Sequence, residues 1–166
     1  MRCLVIDDNP DDRALVARIV TGHGHRATCV SGGKDALAVL EHERFDVALV
    51  DLRMADMSGE QTLRALKKRD RSMRLLVVSG CDDRQHILAA IMAGADGYLL
   101  KDELSGDISR ALQDVCAGKS PLDGKVAATV LSHVKRLGSE PPEPRDKEQA
   151  SVVLGRLPRL KPKNEN

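Results

Sequence analysis

The fold is decided by the N-terminal stretch Cys3-Leu-Val-Ile-Asp-Asp-Asn-Pro-Asp-Asp12. Its first four residues are apolar without alternation, which is typical of a parallel strand that is covered on both faces. The strand ends in the paired acids Asp7 and Asp8. Asn9 is a favourable helix cap, and Pro10 followed by two acids suits the first turn of a helix. The stretch therefore predicts a buried strand that passes directly into a helix.

The same alternation of a short apolar run and a helical pattern repeats along the chain. Further strands are predicted at Arg26–Val30, Val47–Leu52, Leu75–Val78 and Tyr98–Leu100. The first helix is predicted to end at Gly22, and the others are predicted at Gly33–Glu43, Ser58–Lys68, Asp83–Ala93 and Ser105–Ala117. Five strands in strict alternation with five helices predict a right-handed, doubly wound α/β sheet.

The composition argues against several other classes of protein. Of the 166 residues, 42% are hydrophobic and 31% are charged, as in a globular domain. One Phe, one Tyr and no Trp nearly exclude an aromatic platform for single-stranded nucleic acid, and a net charge of +1 announces no polyanionic partner. No apolar run approaches the roughly 20 residues of a membrane span, and the N-terminus is unlike a signal peptide. Four isolated cysteines are typical of reduced thiols, so a cytoplasmic location is expected.

Chemically active side chains stand where the predicted strands end. Asp7 and Asp8 follow the first strand, and later strand ends carry Asp51, Ser79 and Lys101. In an open parallel sheet, ligands bind beyond the carboxyl ends of the strands. Three carboxylates at that edge repel each other unless a cation joins them, and oxygen ligands of this kind favour Mg²⁺. A metal, a lysine and a hydroxyl beside a carboxylate are groups suited to phosphoryl transfer.

This set of residues resembles that of the receiver domain of bacterial two-component response regulators. The sequence around it agrees, because residues 5–10 resemble the family's opening, residues 51–59 the loop after its phosphorylated Asp, and residues 94–102 its last strand. The resemblance covers about residues 1–120. It implies a flavodoxin-like, CheY-like (βα)5 parallel sheet with strand order 2-1-3-4-5.

The resemblance also implies a role for each active side chain. Asp51 is the phosphoacceptor, and Lys101 and Ser79 act with it by contacting the phosphoryl group. Ser79 and Tyr98 form the switch, in which Ser79 bonds the phosphoryl group and Tyr98 turns inward. The chain is then a phosphoacceptor signalling protein and not an enzyme in the usual sense, although a receiver assists its own phosphotransfer and dephosphorylation.

A magnesium site follows from the same resemblance. Asp8, Asp51 and the backbone carbonyl of Arg53 are expected to bind Mg²⁺ directly, and Asp7 is expected to act through water. The expected cofactor is therefore Mg²⁺, held by residues that also surround the phosphoacceptor.

The segment after the receiver resembles one subfamily of response regulators. Lys101-Asp102 and residues 118–134 are similar to the NarL/FixJ type, in which a linker helix leads to a helical DNA-binding domain. The expected organisation is a receiver domain at 1–119, a linker helix at 120–137, a Pro-rich linker at 138–147, and a short helix with a disordered tail at 148–166. No recognition helix follows, and base readout requires one in the major groove, so DNA binding by this chain alone is not expected.

The expected function is a Mg²⁺-dependent phosphorylation switch that signals through protein contacts. Its expected phosphoryl donor is a sensor histidine kinase or a phosphotransfer protein, and no membrane partner is expected. The resemblance implies a homodimer through either the helix 4–strand 5–helix 5 face or the helix 1–helix 5 face. The alternative is a DNA-binding transcriptional regulator of the NarL/FixJ type whose output domain is truncated or degenerate.

Overall fold

A five-stranded parallel sheet with helices on both faces dominates the computed structural model, which describes residues 1–139 and only the backbone of residues 103–107 and 139. The strands are β1 (Arg2–Ile6), β2 (Arg26–Val30), β3 (Val47–Val50), β4 (Arg74–Ser79) and β5 (Gly97–Leu100). The helices are α1 (Pro10–Gly22), α2 (Gly33–Val39), α3 (Gly59–Arg69), α4 (Arg84–Met92), α5 (Leu104–Cys116) and α6 (Gly124–Ser139), and a 3-10 turn spans Lys101–Glu103. The predicted Pro-rich linker lies almost entirely outside the described residues, and the predicted short helix and tail lie wholly outside them.

The strand order is β2-β1-β3-β4-β5, and every neighbouring pair is parallel. This confirms the predicted fold class and order. In this order the chain moves from β1 to one edge at β2, crosses back to β3, and then continues to the other edge at β5. The reversal of direction lies between β1 and β3, where the carboxyl ends of the strands open a crevice.

The capping signals read from the sequence explain where α1 and α3 begin. The Asn9 side chain accepts hydrogen bonds from the N–H groups of Asp11 and Asp12, at 2.9 and 3.4 Å. Ser58 and Gln61 bond reciprocally at the start of α3 in a capping box. These local bonds fix the direction in which each helix leaves the strand before it.

The second helix is shorter than the sequence pattern predicts, because it ends at Val39 and not at Glu43. The N–H of Glu41 bonds to the carbonyl of Ala38, so the chain tightens into a turn after Leu40. That turn keeps Leu40 fully buried and brings Phe45 into the core at 5% exposure. The prediction to Glu43 was wrong because core packing after the turn outweighs helical periodicity.

Two hydrophobic cores cover the two faces of the sheet. One core combines β-strand residues with α2, α3 and α4 and includes Tyr98, Leu100 and the α6 residue Val126. The other combines the alternate strand residues with α1 and α5. Because successive side chains of a strand point to opposite faces, each strand contributes to both cores.

The sixth helix begins within the first of two compact units of the chain. Residues Met1–His133 form one compact unit, and Val134–Asn166 form a second, of which residues 134–139 are described as the end of α6. Within residues 1–139, the length and apolar content of every helix fall short of what a membrane crossing requires.

Candidate functional site

The register of the sheet brings the sequence-predicted acids together. Ile6 of β1 pairs with Val50 of β3, so the residues that follow them, Asp7 and Asp51, lie side by side. Ser79 is the last residue of β4, the strand that pairs with β3 on its other side. The topology alone thus places two carboxylates and a hydroxyl at one edge of the sheet.

Three carboxylates form a tight cluster at this edge. One oxygen from each of Asp7, Asp8 and Asp51 lies within 4.8 Å of the others. Asp7 and Asp51 are only 3% and 6% exposed, whereas Asp8 is exposed. Burial raises the pKa of Asp7 above its usual value, and hydrogen bonding to Lys101 offsets this only in part. Burial therefore disfavours the negative charge that this cluster carries.

Backbone amides orient these carboxylates. The N–H of Asn9 donates to Asp7 Oδ1, and the N–H of Arg53 donates to Asp51 Oδ2, both at 2.9 Å. The N–H of Ala55 donates to Asp8 Oδ2 at 2.9 Å and so ties the loop after β3 to the end of β1. Each bond fixes one oxygen of a carboxylate and directs the other toward the crevice.

A single lysine faces the cluster. Lys101 Nζ lies 2.7 Å from Asp7 Oδ2, 2.8 Å from Asp12 Oδ2 and 3.5 Å from Asp51 Oδ1. Burial is the largest single influence on its pKa and would lower it. The hydrogen bonds with Asp12 and Asp7 and the charge of Asp51 nevertheless raise the pKa of Lys101 above its usual value. The lysine is therefore a fixed cation beside Asp51.

Asp12 is a site residue that the sequence analysis did not identify, since it assigned this acid only to the first turn of a helix. Asp8 lies before the cap of α1, so helix periodicity does not relate it to Asp12. The available signal was an acid in the first helical turn, directly after the strand end that carries Asp7 and Asp8. Because α1 begins directly after β1, its first turn leans over the crevice and brings Asp12 to Lys101.

Six of the seven sequence-predicted site residues line one open cleft of about 270 Å³, namely Asp7, Asp8, Asp51, Arg53, Ser79 and Lys101. Asn9, Asp12 and Gly80 complete its lining. Ser79 is 1% exposed, and its Oγ accepts the N–H of Cys81 at 3.4 Å, which leaves the hydroxyl proton available to a ligand. An added Cβ at Gly80 would meet no atom within 4 Å, so the cleft is open at this residue.

The seventh residue, Tyr98, lies in the core and connects to the cleft through the loop after β4. Its ring is fully buried, and its hydroxyl donates to the carbonyl of Cys81 at 2.5 Å. Burial raises the pKa of Tyr98 well above its usual value, so the phenol stays protonated and remains a donor. Arg53 also reaches this loop, with its guanidinium 3.8 Å from Cys81 Sγ.

The donor set fits a hard divalent cation. Carboxylate oxygens that converge within 4.8 Å, two of them buried, match the ligands that Mg²⁺ prefers. One ammonium cannot neutralise Asp7, Asp12 and Asp51 together with Asp8. A divalent cation would reduce this imbalance, so the chemistry of the residues present is compatible with the expected metal.

Two curated relatives are a transcriptional activator and a response regulator. The chain is 36% identical over 101 residues to the DNA-binding transcriptional activator DevR/DosR of Mycobacterium tuberculosis, which covers 61% of this chain and 46% of that protein. It is 31% identical over 135 residues to the nitrate/nitrite response regulator protein NarL of Escherichia coli, covering 80% of this chain and 62% of that protein. The chain thus spans less than two thirds of the length of these relatives.

Solved structures share the fold. A two-component response regulator of the LuxR family from Aurantimonas sp. SI85-9A1 superposes with a TM-score of 0.74 at 21% identity, over 80% of this chain and 96% of that one. A CheY-like receiver domain protein from Methanospirillum hungatei JF-1 gives 0.67 at 25% identity, over 70% and 93%. Residues 3–113 match the family described as the response regulator receiver domain. With the strand order and the acidic cleft in agreement, the chain belongs to the response regulator receiver domain family.

Proposed function

We propose that this chain accepts a phosphoryl group on Asp51 from a sensor histidine kinase or a phosphotransfer protein. The observation that carries the proposal is the position of Asp51, which lies 3.5 Å from Lys101 Nζ inside the acidic cleft. Asp51 Oδ2 is engaged by a backbone N–H, so Oδ1 is the oxygen that faces the lysine. We expect Oδ1 to be the nucleophile.

The proposed reaction is an in-line phosphoryl transfer between two side chains. Asp51 Oδ1 attacks the phosphorus of a phosphohistidine, the P–O bond forms as the P–N bond breaks, and the imidazole nitrogen leaves with the bonding pair. The product is an acyl phosphate on Asp51. Lys101 and the Ser79 hydroxyl stabilise the charge on the phosphoryl oxygens, which is the main contribution a protein can make to such a transfer.

Asp8, Asp51 and the backbone carbonyl of Arg53 would hold Mg²⁺, with Asp7 acting through water. When bound, the ion supplies positive charge that lets an anionic donor approach an anionic acceptor. Asp7 and Asp12 keep Lys101 directed at the cleft through their hydrogen bonds to Nζ. These two acids are therefore proposed as positioning residues for the lysine as well.

The proposed switch links the phosphoryl group to the core. Ser79 would bond a phosphoryl oxygen, and Tyr98 would hold its inward position through the carbonyl of Cys81. Because Cys81 also donates its N–H to Ser79, one loop residue contacts both members of the switch. We propose that signalling proceeds by protein contact in the cytoplasm.

Phosphorylation by acetyl phosphate tests the acceptor. The wild-type protein with Mg²⁺ is expected to gain the mass of one phosphoryl group, and Asp51→Asn is expected to gain none. Asp82→Asn is a matched control, because it removes an exposed carboxylate from the loop after β4 but not from the acidic cluster. Equal labelling of Asp51→Asn and wild type would show that the acceptor lies elsewhere.

A DNA-binding transcriptional regulator is the second candidate, favoured by the name of the relative DevR/DosR, a DNA-binding transcriptional activator. In this case residues 1–119 would be the receiver and residues 120–137 the linker helix toward an output domain. An electrophoretic mobility shift with the phosphorylated chain separates the candidates. Tight, sequence-specific binding would favour the regulator, and its absence would favour signalling through protein contacts.

A further inference from the structure

The exposed edge of β5 is covered by the chain's own segment Pro121–Asp123. The N–H of Tyr98 donates to the carbonyl of Pro121 at 2.9 Å, and the N–H of Asp123 donates to the carbonyl of Tyr98 at 3.2 Å. The N–H of Leu100 donates to the Asp123 carboxylate. Leu122 pairs with Tyr98 as a parallel bridge, so this segment extends the sheet by one short strand.

Side-chain packing also stabilises the contact between this segment and β5. A Cβ on Gly97 would lie 2.8 Å from both Cγ and the carbonyl oxygen of Pro121, so only glycine allows the segment to come this close. Val126, in the first turn of α6, is fully buried in the core that contains Tyr98, and Leu122 packs against that core. The start of α6 is therefore fixed to β5 by backbone bonds, a carboxylate and apolar packing.

Tyr98 is the residue where this contact meets the phosphoryl site. Its backbone N–H and carbonyl hold the segment, while its hydroxyl bonds Cys81, which in turn bonds Ser79. Because β5 is the last strand of the sheet and β4 blocks the inner side, a ring leaving the core could move only toward the edge. That edge is where Leu122 and Val126 pack, so an outward ring and a docked segment compete for the same space.

We propose that docking of residues 121–130 on the edge of β5 is coupled to the inward position of Tyr98, so that the phosphoryl site controls how firmly α6 is held. Asp123 is the positioning residue of this contact, since its carboxylate links the start of α6 to the residue before Lys101. The inference rests on the proposed function, because the phosphoryl group is the signal that would change the docking. The docking contact itself does not depend on phosphorylation.

Coupling of this kind is reciprocal. If a phosphoryl analogue strengthens docking by some factor, a protein whose segment is fully undocked must bind the analogue more weakly by the same factor, and partial undocking must weaken binding by no more than that factor. The docking of the segment is measured at α6, and the binding of the analogue is measured in the acidic cleft. A local effect of the mutation on the cleft would not be limited by this factor.

Hydrogen exchange followed by mass spectrometry tests the docking contact. Asp123→Ala removes a charged acceptor and is expected to speed exchange in the peptides covering 97–100 and 121–130 by about tenfold or more. Asp123→Asn, which keeps an acceptor oxygen, is expected to give a smaller increase. Asp114→Ala is the matched control, because Asp114 lines the groove beside this segment but bonds Lys119 and not β5.

Beryllofluoride with Mg²⁺ tests the coupling. In wild type it is expected to slow exchange in residues 121–130 several-fold, and in Tyr98→Phe this slowing is expected to disappear. Binding is followed by the fluorescence of Tyr98, the chain's sole tyrosine, in a protein without tryptophan, and in Tyr98→Phe by native mass spectrometry. Asp123→Ala is expected to weaken binding of the analogue measurably, by at most the factor by which the analogue slows exchange in wild type.

The outcomes separate this inference from the proposed function. If beryllofluoride binds but exchange in residues 121–130 is unchanged, the coupling is refuted and the proposed function stands. If beryllofluoride does not bind, the proposed function fails. The coupling is then decided by the exchange rates of Tyr98→Phe, Asp123→Ala and the double variant: additive effects refute it, and a clear departure from additivity supports it.

Discussion

Replacing Asp8 by Asn is expected to stabilise the metal-free protein and to abolish its response to Mg²⁺. The acidic cluster holds three carboxylates whose nearest oxygens lie within 4.8 Å of one another, with Lys101 as the cation inside the cleft. Asn has nearly the same shape as Asp and keeps an oxygen for the N–H of Ala55. The substitution therefore removes a charge and little else.

The size of the effect follows from the distances. Two like charges 4.8 Å apart repel by about 0.9 kcal/mol in bulk water and by about 3.5 kcal/mol at an effective dielectric constant of about 20. Asp8 is exposed, so solvent screening keeps its interactions near the lower value. Repulsion from two neighbours, partly offset by Lys101, gives a gain of about 1 kcal/mol. In a receiver of this size that gain raises Tm by roughly 3–5 °C.

Mg²⁺ is expected to reverse the order of stability of wild type and Asp8→Asn. Free Mg²⁺ at about ten times its dissociation constant stabilises the folded wild type by about 1.4 kcal/mol, because it binds the folded state alone. Asp8→Asn lacks one of the proposed direct ligands and is expected to gain little at the same concentration. Wild type should thus be the less stable protein in EDTA and the more stable one in Mg²⁺.

Thermal unfolding in EDTA and across a Mg²⁺ titration measures both effects. Asp82→Asn is the control, since it changes the net charge equally outside the cluster, and it should show the full wild-type response to Mg²⁺. The reasoning fails if Asp8→Asn unfolds at a lower temperature than wild type in EDTA. It also fails if the variant and wild type show the same shift with Mg²⁺.

Four further substitutions concern stability, and their effects can be checked by denaturant unfolding. Gly59→Ala should lower the free energy of unfolding by about 2 kcal/mol, because the new Cβ would meet the backbone of the loop after β3, including the Asp51 carbonyl at 2.6 Å. Gly22→Ala, whose Cβ would meet nothing within 4 Å, should not destabilise the protein. Leu63→Ala, in the core, should cost about 2–5 kcal/mol. Asp96→Asn should cost about 1–3 kcal/mol at pH 7 and less in acid. Burial would raise the pKa of Asp96, but hydrogen bonding, first of all to Lys67, holds it below its usual 3.8, so this stability is present above that value and fades as pH falls through the lowered pKa. An equal cost of Asp96→Asn at pH 7 and at low pH would contradict this account.

The sequence was sufficient for the fold because its strands are buried on both faces. Runs such as Val47–Val50 are apolar without alternation, and a parallel sheet covered by helices buries both faces of such a run. The starts of α1 and α3 were equally predictable from the sequence, since Asn9 and Ser58 bond locally to the first turn of each helix. The end of α2 was not predictable from the sequence. The turn that ends this helix brings Phe45 into the core, and the burial of Phe45 depends on contacts with distant residues.

The cleft was predictable for a related reason. Residues that end parallel strands share an edge whatever the loops do, so Asp7, Asp51 and Ser79 had to meet once the strand order was given. Asp12 was missed because its role depends on the angle at which α1 leaves β1. The helical pattern places Asp12 in the first turn of α1, but only the three-dimensional arrangement brings it to Lys101.

The two edges of the sheet differ in a way that explains why the chain covers only one of them in the described residues. At one edge, β2 has only one buried residue and includes the polar residues Arg26 and Thr28, so it tolerates solvent. At the other edge, all four residues of β5 are buried, and an apolar edge strand with free N–H and carbonyl groups invites unwanted pairing. Covering β5 is therefore a structural requirement, met here by the segment Pro121–Asp123. Because that cover bonds to Tyr98, which is a member of the proposed switch, the contact that protects the edge would also connect the proposed phosphoryl site to α6.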